Sequence, residues 1–355
     1  MASDNAPSRF GHARWSEVAV LAGPALLLFA AFVLLPFVLA VGFSFTNVKL
    51  LQTERIEWTG LDNYTRMFAL KLVDAPPAAN ETERAMPQRQ WRQMKRAEPA
   101  GFDGYQYLTD ISLGGRHYLI GARDPQFLRS IVNTFLFALM VVPLQTVLAL
   151  AMALWVNQSF RGRVVLRTVF FSPVVTSMVV VAAIWGLILH TEAGLANQML
   201  RAILGPDAPQ PDWLGDPHLA MLSIAIMSAW QGAGFQMLIF LSGLQGISID
   251  QYEAADVMGA SLWQKFIYIT LPGLKRTLVF VGLSTTIMAF GLFTQVDVLT
   301  GGGPMDSTST LIFHSMRVGF REQDIAYGSA MTLFFFLFVL LLSLGQKKLM
   351  ERLGR

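Results

Sequence analysis

Two apolar stretches carry amides and hydroxyls at helical spacing. Within residues 218–242, Ser228, Gly232 and Gln236 recur every four positions, with Gln231 beside them. Within residues 277–299, Ser284, Met288, Gly291 and Gln295 form one stripe, flanked by Thr285. Residues three or four apart share a helix face, so each set is a polar line on an apolar rod. Such lines can hydrogen-bond an uncharged polar ligand, with Trp230, Phe235 and Phe290 as a possible aromatic platform. The same residue types also act as glue between membrane helices, and the sequence leaves both roles open. The candidate ligand contacts are therefore Ser228, Gln231, Gly232, Gln236, Thr285, Met288 and Gln295.

Bond-making chemistry has no foothold. No P-loop occurs, and Gly301-Gly302-Gly303-Pro304 lacks the Lys-Ser/Thr ending of one. His-Glu-x-x-His and Gly-x-Ser-x-Gly patterns are absent too. His12, His117, His190, His218 and His314 are scattered and read as loop or interface residues. The chain has no cysteine, so disulfides, thiolate catalysis and cysteine metal sites are excluded. The expectation is a protein that is not an enzyme, with no catalytic residue, no metal ligand and no cofactor of its own.

The elements that must position the polar lines follow from composition. The 355 residues are 53% hydrophobic and only 14% charged, the balance of a multi-span membrane protein. The net charge of +3 collects beside the apolar stretches, which argues against a nucleic-acid partner. Crossing the hydrocarbon core takes about 20 apolar residues, and lipid leaves helices as the only open-ended solution. Six segments qualify, about 18–44, 131–156, 166–189, 218–242, 277–299 and 326–346. Pro24 and Pro36 fall inside the first of them, Pro143 inside the second, and Pro173 in the first turns of the third. The stretch 18–44 is too long for a secretory h-region and has no clear cleavage site, so it reads as a retained span. Ionisable residues are nearly absent from the spans; Asp297 lies near one outer end, and an intramembrane ion relay is not expected.

Lys and Arg set the orientation. With both termini in the cytoplasm, the inside segments hold Arg9, Arg14, Arg161, Arg163, Arg167, Lys265, Lys275, Arg276, Lys347, Lys348, Arg352 and Arg355. The short outside loops then hold only Arg201, Arg317 and Arg321. This places residues 243–276 in the cytoplasm. There, Asp250 with Glu253, and Ser261 with Gln264, have the form of capping boxes. Two short helices are expected, about 251–258 with Asp250 as N-cap and 262–270, hinged at Gly259 and stopped by Pro272. The long first outside loop, about 45–130, contains a Pro-, Ala- and charge-rich stretch that reads as irregular or weakly helical. A hairpin turning at Gly114-Gly115 follows it.

The 253–272 run reads Glu253-Ala254-Ala255, three residues, Gly259, nine residues, then Ile269-x-Leu271-Pro272. It resembles the EAA motif by which membrane subunits of ATP-driven importers grip their ATPase. Further matches are Gly60-Leu61-Asp62-Asn63-Tyr64, Asn133-Thr134, Leu299-Thr300-Gly301-Gly302-Gly303-Pro304 with Ser307-Thr308, and Tyr327-Gly328-Ser329-Ala330. Together they resemble the maltose-type carbohydrate ABC importer permeases, over nearly the whole chain except an insertion at about 69–123.

The resemblance implies an all-α polytopic protein of the type I ABC importer permease fold, with six transmembrane helices and a small extracytoplasmic insertion between the first two. Its parts would be a cytoplasmic N-terminus (1–17), a first transmembrane helix (18–44), an extracytoplasmic loop (45–130), a five-helix core (131–346) containing the coupling loop (243–276), and a cytoplasmic C-terminus (347–355). It implies a multi-pass protein of the bacterial plasma (inner) membrane that imports a sugar, a di- or oligosaccharide, by alternating access. The implied partners are a second, different permease, two copies of an ABC ATPase that binds the ATP and Mg, and an extracytoplasmic sugar-binding protein. Glu253, Ala254, Ala255, Gly259, Leu271 and Pro272 are implied to couple to the ATPase. In related permeases the sugar contacts come from the helices either side of the coupling loop, and in some members only one permease of the pair holds the sugar. Alternatives are a permease of this class for a polyol, glycerol phosphate or sulfonated sugar, or an ion-coupled carrier, which the uncharged spans disfavour.

Overall fold

The computed structural model describes residues 15–51, 55–75, 86–113 and 116–353. By length and composition, four helices can each cross a membrane: Ala22–Phe43, Pro125–Asn157, Ala220–Gln245 and Ile325–Gln346. Two bent pairs supply the other two crossings, Arg163–Val175 with Met178–Ile188 and Leu262–Gly273 with Lys275–Phe290. The six expected segments are therefore all helical, but two differ in shape.

The third is bent by 99°. Pro173 lacks an amide N–H, the β-branched Val174-Val175-Thr176 follows, and Thr176 takes up extended backbone (φ −79°, ψ 140°). The fifth was expected over 277–299. It ends at Phe290, turns through Gly291 to Phe293, and restarts as the short helix Thr294–Leu299. The stripe from Ser284 to Gln295 is thus split between two helices, although Gln295 still returns to the same place.

Two of the prolines, Pro36 and Pro272, are absorbed by one device used twice. A five-residue π turn, Ala30–Leu34, precedes Pro36, and another, Phe266–Thr270, precedes Pro272. Each proline then sits at the first positions of a new helical stretch, where no N–H is required. Pro272 accordingly does not stop its helix; the break comes after Gly273, where the axis turns by 67°.

The second and fourth spans form the centre of the bundle. Ala149, Ala153 and Ala233 are fully buried, and the small side chains let the backbones approach. At Gly234 a Cβ would lie 2.2 Å from the Phe170 carbonyl oxygen, so the third segment packs on bare backbone there. Phe137, Val141, Ile224, Ala229, Phe290 and Phe313 fill the half of the core nearer residue 137, and Met237, Phe240, Leu241 and Leu274 the other half. The first span stands apart; Phe37 stacks edge-on to Phe336 of the last span at 5.1 Å.

The loop between the first two spans carries a small subdomain. β1 (Leu70–Asp74), β2 (Gln106–Leu113) and β3 (Arg116–Ala122) form an antiparallel sheet in the order β1-β3-β2. The expected hairpin is thus present, with a bulge between Tyr107 and Thr109. Its turn, Gly114-Gly115, lies outside the described residues, as does 76–85. The sequence reading missed β1. Its short alternation, Leu70-Lys71-Leu72-Val73, becomes strand only by pairing with residues about 50 positions away.

The helix Pro87–Ala97 covers this sheet, and Trp91, Phe102 and Leu119 make its core. Gly121 is required: a Cβ there would fall 2.0 Å from the Trp91 ring. Gly121→Ala is expected to lift Trp91 off the sheet at a cost of about 1–3 kcal/mol. Limited trypsin digestion, reading cleavage at Arg89, Arg92 and Arg96, should then be faster than in the parent. Unchanged digestion would contradict this packing.

Candidate functional site

The candidate contacts converge. Ser228, Gln231 and Gly232 from the fourth span, Thr285 and Met288 from the fifth, and Gln295 from the short helix beyond it line one cavity of about 90 Å³. Gln145, Phe137 and Val141 of the second span, Met178 of the third, and Ala289 and Leu292 complete its wall. Among the described residues no charged side chain lines it. Ser228 Oγ is buried there with no hydrogen-bond partner among the described residues. Gly232 is needed for closeness, since a Cβ would lie 2.2 Å from Gln145 Nε2. Gln231 Nε2 donates to the Pro173 carbonyl at 3.5 Å, touching the bend of the third segment. The volume is well below the roughly 300–1,000 Å³ of open ligand pockets. The polar groups are assembled, but the space between them is narrow.

Three expectations change. Gln236 does not line the cavity; its Nε2 donates to Thr285 Oγ1 and clips the fourth span to the fifth, which is the glue role. Ser284 is turned away as well, donating to the Val281 carbonyl at 3.0 Å. The aromatic platform is not Trp230, Phe235 or Phe290. Trp230 packs on Trp185, Phe235 lines a separate groove with Arg276 and Phe280, and Phe290 is buried in the core. Phe137 is the aromatic ring at the cavity. Gln145 was missed, although it is the one glutamine between residues 131 and 156 and so carried a sequence signal.

Between the fourth and fifth spans lies the 243–276 elbow. Its first helix is Ile249–Val257, and its N-cap is Ser248, whose Oγ accepts from Asp250 N–H at 3.3 Å. Asp250 is therefore in the first turn and is not the cap, because serine two residues earlier already closes that end. The second box holds: Ser261 Oγ accepts from Gln264 N–H, and Gln264 Oε1 accepts from Ser261 N–H at 2.7 Å. The second helix continues past residue 270 to Gly273 through the π turn.

Gly259 joins the two helices at φ +73°, a conformation that favours glycine. The Tyr252 and Thr270 hydroxyls at 2.9 Å, and the Lys265–Asp256 ion pair, lock the elbow. Ala255 is buried in it, whereas Glu253, Ala254, Gly259, Leu271 and Pro272 are exposed. Val257, Met258, Leu262, Trp263 and Tyr268 stand out beside them as an uncovered apolar surface.

The family model for "Binding-protein-dependent transport system inner membrane component" matches residues 118–355. The chain belongs to this family. The permease is 34% identical over 238 residues to the probable ABC transporter permease protein YurN of Bacillus subtilis (strain 168), covering 66% of this chain and 81% of that one. It is 37% identical over 231 residues to the trehalose/maltose transport system permease protein MalF of Thermococcus litoralis, covering 64% and 76% of the two chains. In fold it matches a chain of a bacterial alginate ABC transporter crystallised in complex with an alginate pentasaccharide-bound periplasmic protein. The TM-score is 0.69 at 18% identity, over 96% of this chain and 98% of that one. That coverage extends into the 69–123 stretch, so the insertion is not peculiar to this permease.

The permease also holds a buried charged cluster that the scattered histidines did not betray. Asp124 caps the second span by accepting from Phe127 N–H at 2.9 Å. It also accepts from Tyr327 Oη–H at 2.8 Å and meets His314 Nε2 at 3.0 Å. The second span, the helix Leu311–Met316 and the last span are thus tied at one point. Burial pushes the Asp124 carboxyl up, but His314 and the Phe127 and Tyr327 hydrogen bonds outweigh it and hold the value below the usual carboxylate range.

A lowered value means stability that is present above the ordinary carboxylate pKa and is lost only as pH falls through the lowered one. Thermal stability in detergent should therefore stay level from pH 8 down to about pH 5 and drop in stronger acid. Asp124→Ala is expected to cost about 2–4 kcal/mol, from the lost cap and two stranded buried partners. The check is the midpoint of thermal aggregation; a variant as stable as the parent would contradict it.

Proposed function

We propose that this permease is one of two different membrane subunits of an ATP-driven, binding-protein-dependent importer for a neutral di- or oligosaccharide. The observation that carries the reading is the cavity: amides and hydroxyls from the helices flanking the elbow meet there with no charged neighbour. A sugar offers many hydroxyls and no charge, and three glutamine amides, a serine hydroxyl and the Phe137 ring match it. The trehalose/maltose name of the MalF relative supports the same substrate class. A phosphate or sulfonate would want a guanidinium or ammonium at the site.

In this reading both termini are cytoplasmic, residues 69–123 form an extracytoplasmic insertion, and 131–346 form the transporting core. Glu253, Ala254, Ala255, Gly259, Leu271 and Pro272, with the apolar surface around Trp263, receive a separate ATPase that binds ATP and Mg. The elbow's motion reaches the cavity through close contacts. At Gly243 a Cβ would lie 2.5 Å from Thr277 Oγ1, and at Gly273 one would lie 2.7 Å from Ile247. The Gln236–Thr285 bond follows just below the cavity. ATP-driven closure below widens the narrow site outward to a sugar-loaded binding protein, and the reverse motion releases the sugar inward.

The test is uptake of a panel of neutral di- and oligosaccharides, polyols, uronates and sugar phosphates by cells with and without this chain. Loss of neutral-saccharide uptake is expected on deletion. Loss confined to a uronate or a phosphate would overturn the substrate assignment.

A further inference from the structure

The helix Leu195–Leu204, between the third apolar segment and the fourth span, has a polar residue as its one fully buried side chain. Asn197 is fully buried, donates from Nδ2 to the Thr191 carbonyl at 2.8 Å and the Pro211 carbonyl at 3.1 Å, and accepts from Trp213 Nε1–H at 2.8 Å. The helix's outward side is apolar. Leu195, Met199 and Ile203 recur every four residues and are 57%, 62% and 76% exposed. With exposed Ala202 they make a stripe on the side opposite Asn197.

The position of the helix decides what covers that stripe. Gly194, just before its first turn, lies so close to the preceding span that a Cβ would be 2.5 Å from the Ile188 carbonyl oxygen and 2.3 Å from that of His190. Ile188 is the last residue of Met178–Ile188, the second half of the bent third span, on which Ile184 and Leu187 are exposed apolar residues. The stripe thus begins at the depth where a lipid-facing surface ends and continues it. Trp213, held by Asn197, is a residue type enriched at that depth.

We propose that Leu195–Leu204 lies along the membrane surface, with Leu195, Met199 and Ile203 inserted at the boundary between headgroups and acyl chains. The polar clamp on Asn197 fixes the roll of the helix so that this face meets lipid. The helix then anchors the end of the segment whose other end brings Met178 to the cavity.

The absence of native cysteine makes the test direct. Met199→Cys, Ile203→Cys and, as a water-facing control, Gln210→Cys are each labelled with a bimane fluorophore in the full chain. Each is purified with its partners and reconstituted in vesicles. Lipids brominated near the headgroup end of the acyl chain are compared with aqueous iodide as quenchers. The expected result is loss of fluorescence at positions 199 and 203 with brominated lipid and little with iodide, and the reverse at 210. Iodide quenching at 199 and 203 equal to that at 210 would place the stripe in water. Protection from both quenchers would mean that a protein covers it. Either outcome overturns the proposal.

Discussion

Gly259→Asp is expected to reduce uptake to background while the protein stays in the membrane at parental levels. A Cβ at this position meets nothing within 4 Å, so the fold has room for the side chain. The backbone, at φ +73°, charges an L-residue about 1–2 kcal/mol, which a six-span bundle tolerates. What changes is the hinge angle between Ile249–Val257 and Leu262–Gly273, and with it the arrangement of Val257, Met258, Leu262 and Trp263 as one surface. A negative charge also arrives in the middle of that apolar patch. Glu253→Lys tests the same surface without touching the backbone, since Glu253 is exposed on the preceding helix. Both variants should retain membrane insertion by immunoblot and lose substrate-stimulated ATP hydrolysis. Normal uptake by either one would show that the elbow is not the coupling element.

The second large effect concerns the cavity and separates two glutamines that the sequence grouped together. Gln231→Ala removes an amide from the cavity wall and is expected to raise the KM for uptake about tenfold, the worth of one well-made hydrogen bond of roughly 1.4 kcal/mol. Gln145→Leu should act in the same direction. Gln236→Ala removes the clip to Thr285 and leaves the cavity lining intact, so it should lower the maximal rate while KM moves little. Concentration-dependent uptake of the best substrate distinguishes these outcomes. An unchanged KM in both Gln231→Ala and Gln145→Leu would assign the sugar to the partner permease and leave these residues as helix glue.

The legible parts of the molecule are those governed by local rules. Apolar length placed six helical segments, the Ser261–Gln264 box held, and Gly259 took the positive φ its residue type allows. Helical spacing of three and four residues brought Ser228, Gln231 and Gly232 to one wall. Features fixed by tertiary contact were not legible. Hydropathy reports apolar length and is blind to direction, so the 99° bend after Val175 and the turn at Gly291 were read as straight spans. Helical period made Gln236 a candidate contact and left the glue role open; the hydrogen bond to Thr285 on a neighbouring helix gives it the glue role. The Asp124–His314–Tyr327 cluster joins residues up to 203 positions apart, and no local pattern announces it. β1 escaped for the same reason, its partner strand being remote in sequence.

The central claim is that this chain works as a subunit of an ATP-driven importer. Its most direct test is to purify the chain in mild detergent from its native membrane and identify the co-purifying proteins by mass spectrometry. The account predicts a second permease with its own Glu-Ala-Ala loop together with a P-loop ATPase. Recovery of this chain alone from intact, transport-active membranes would contradict it.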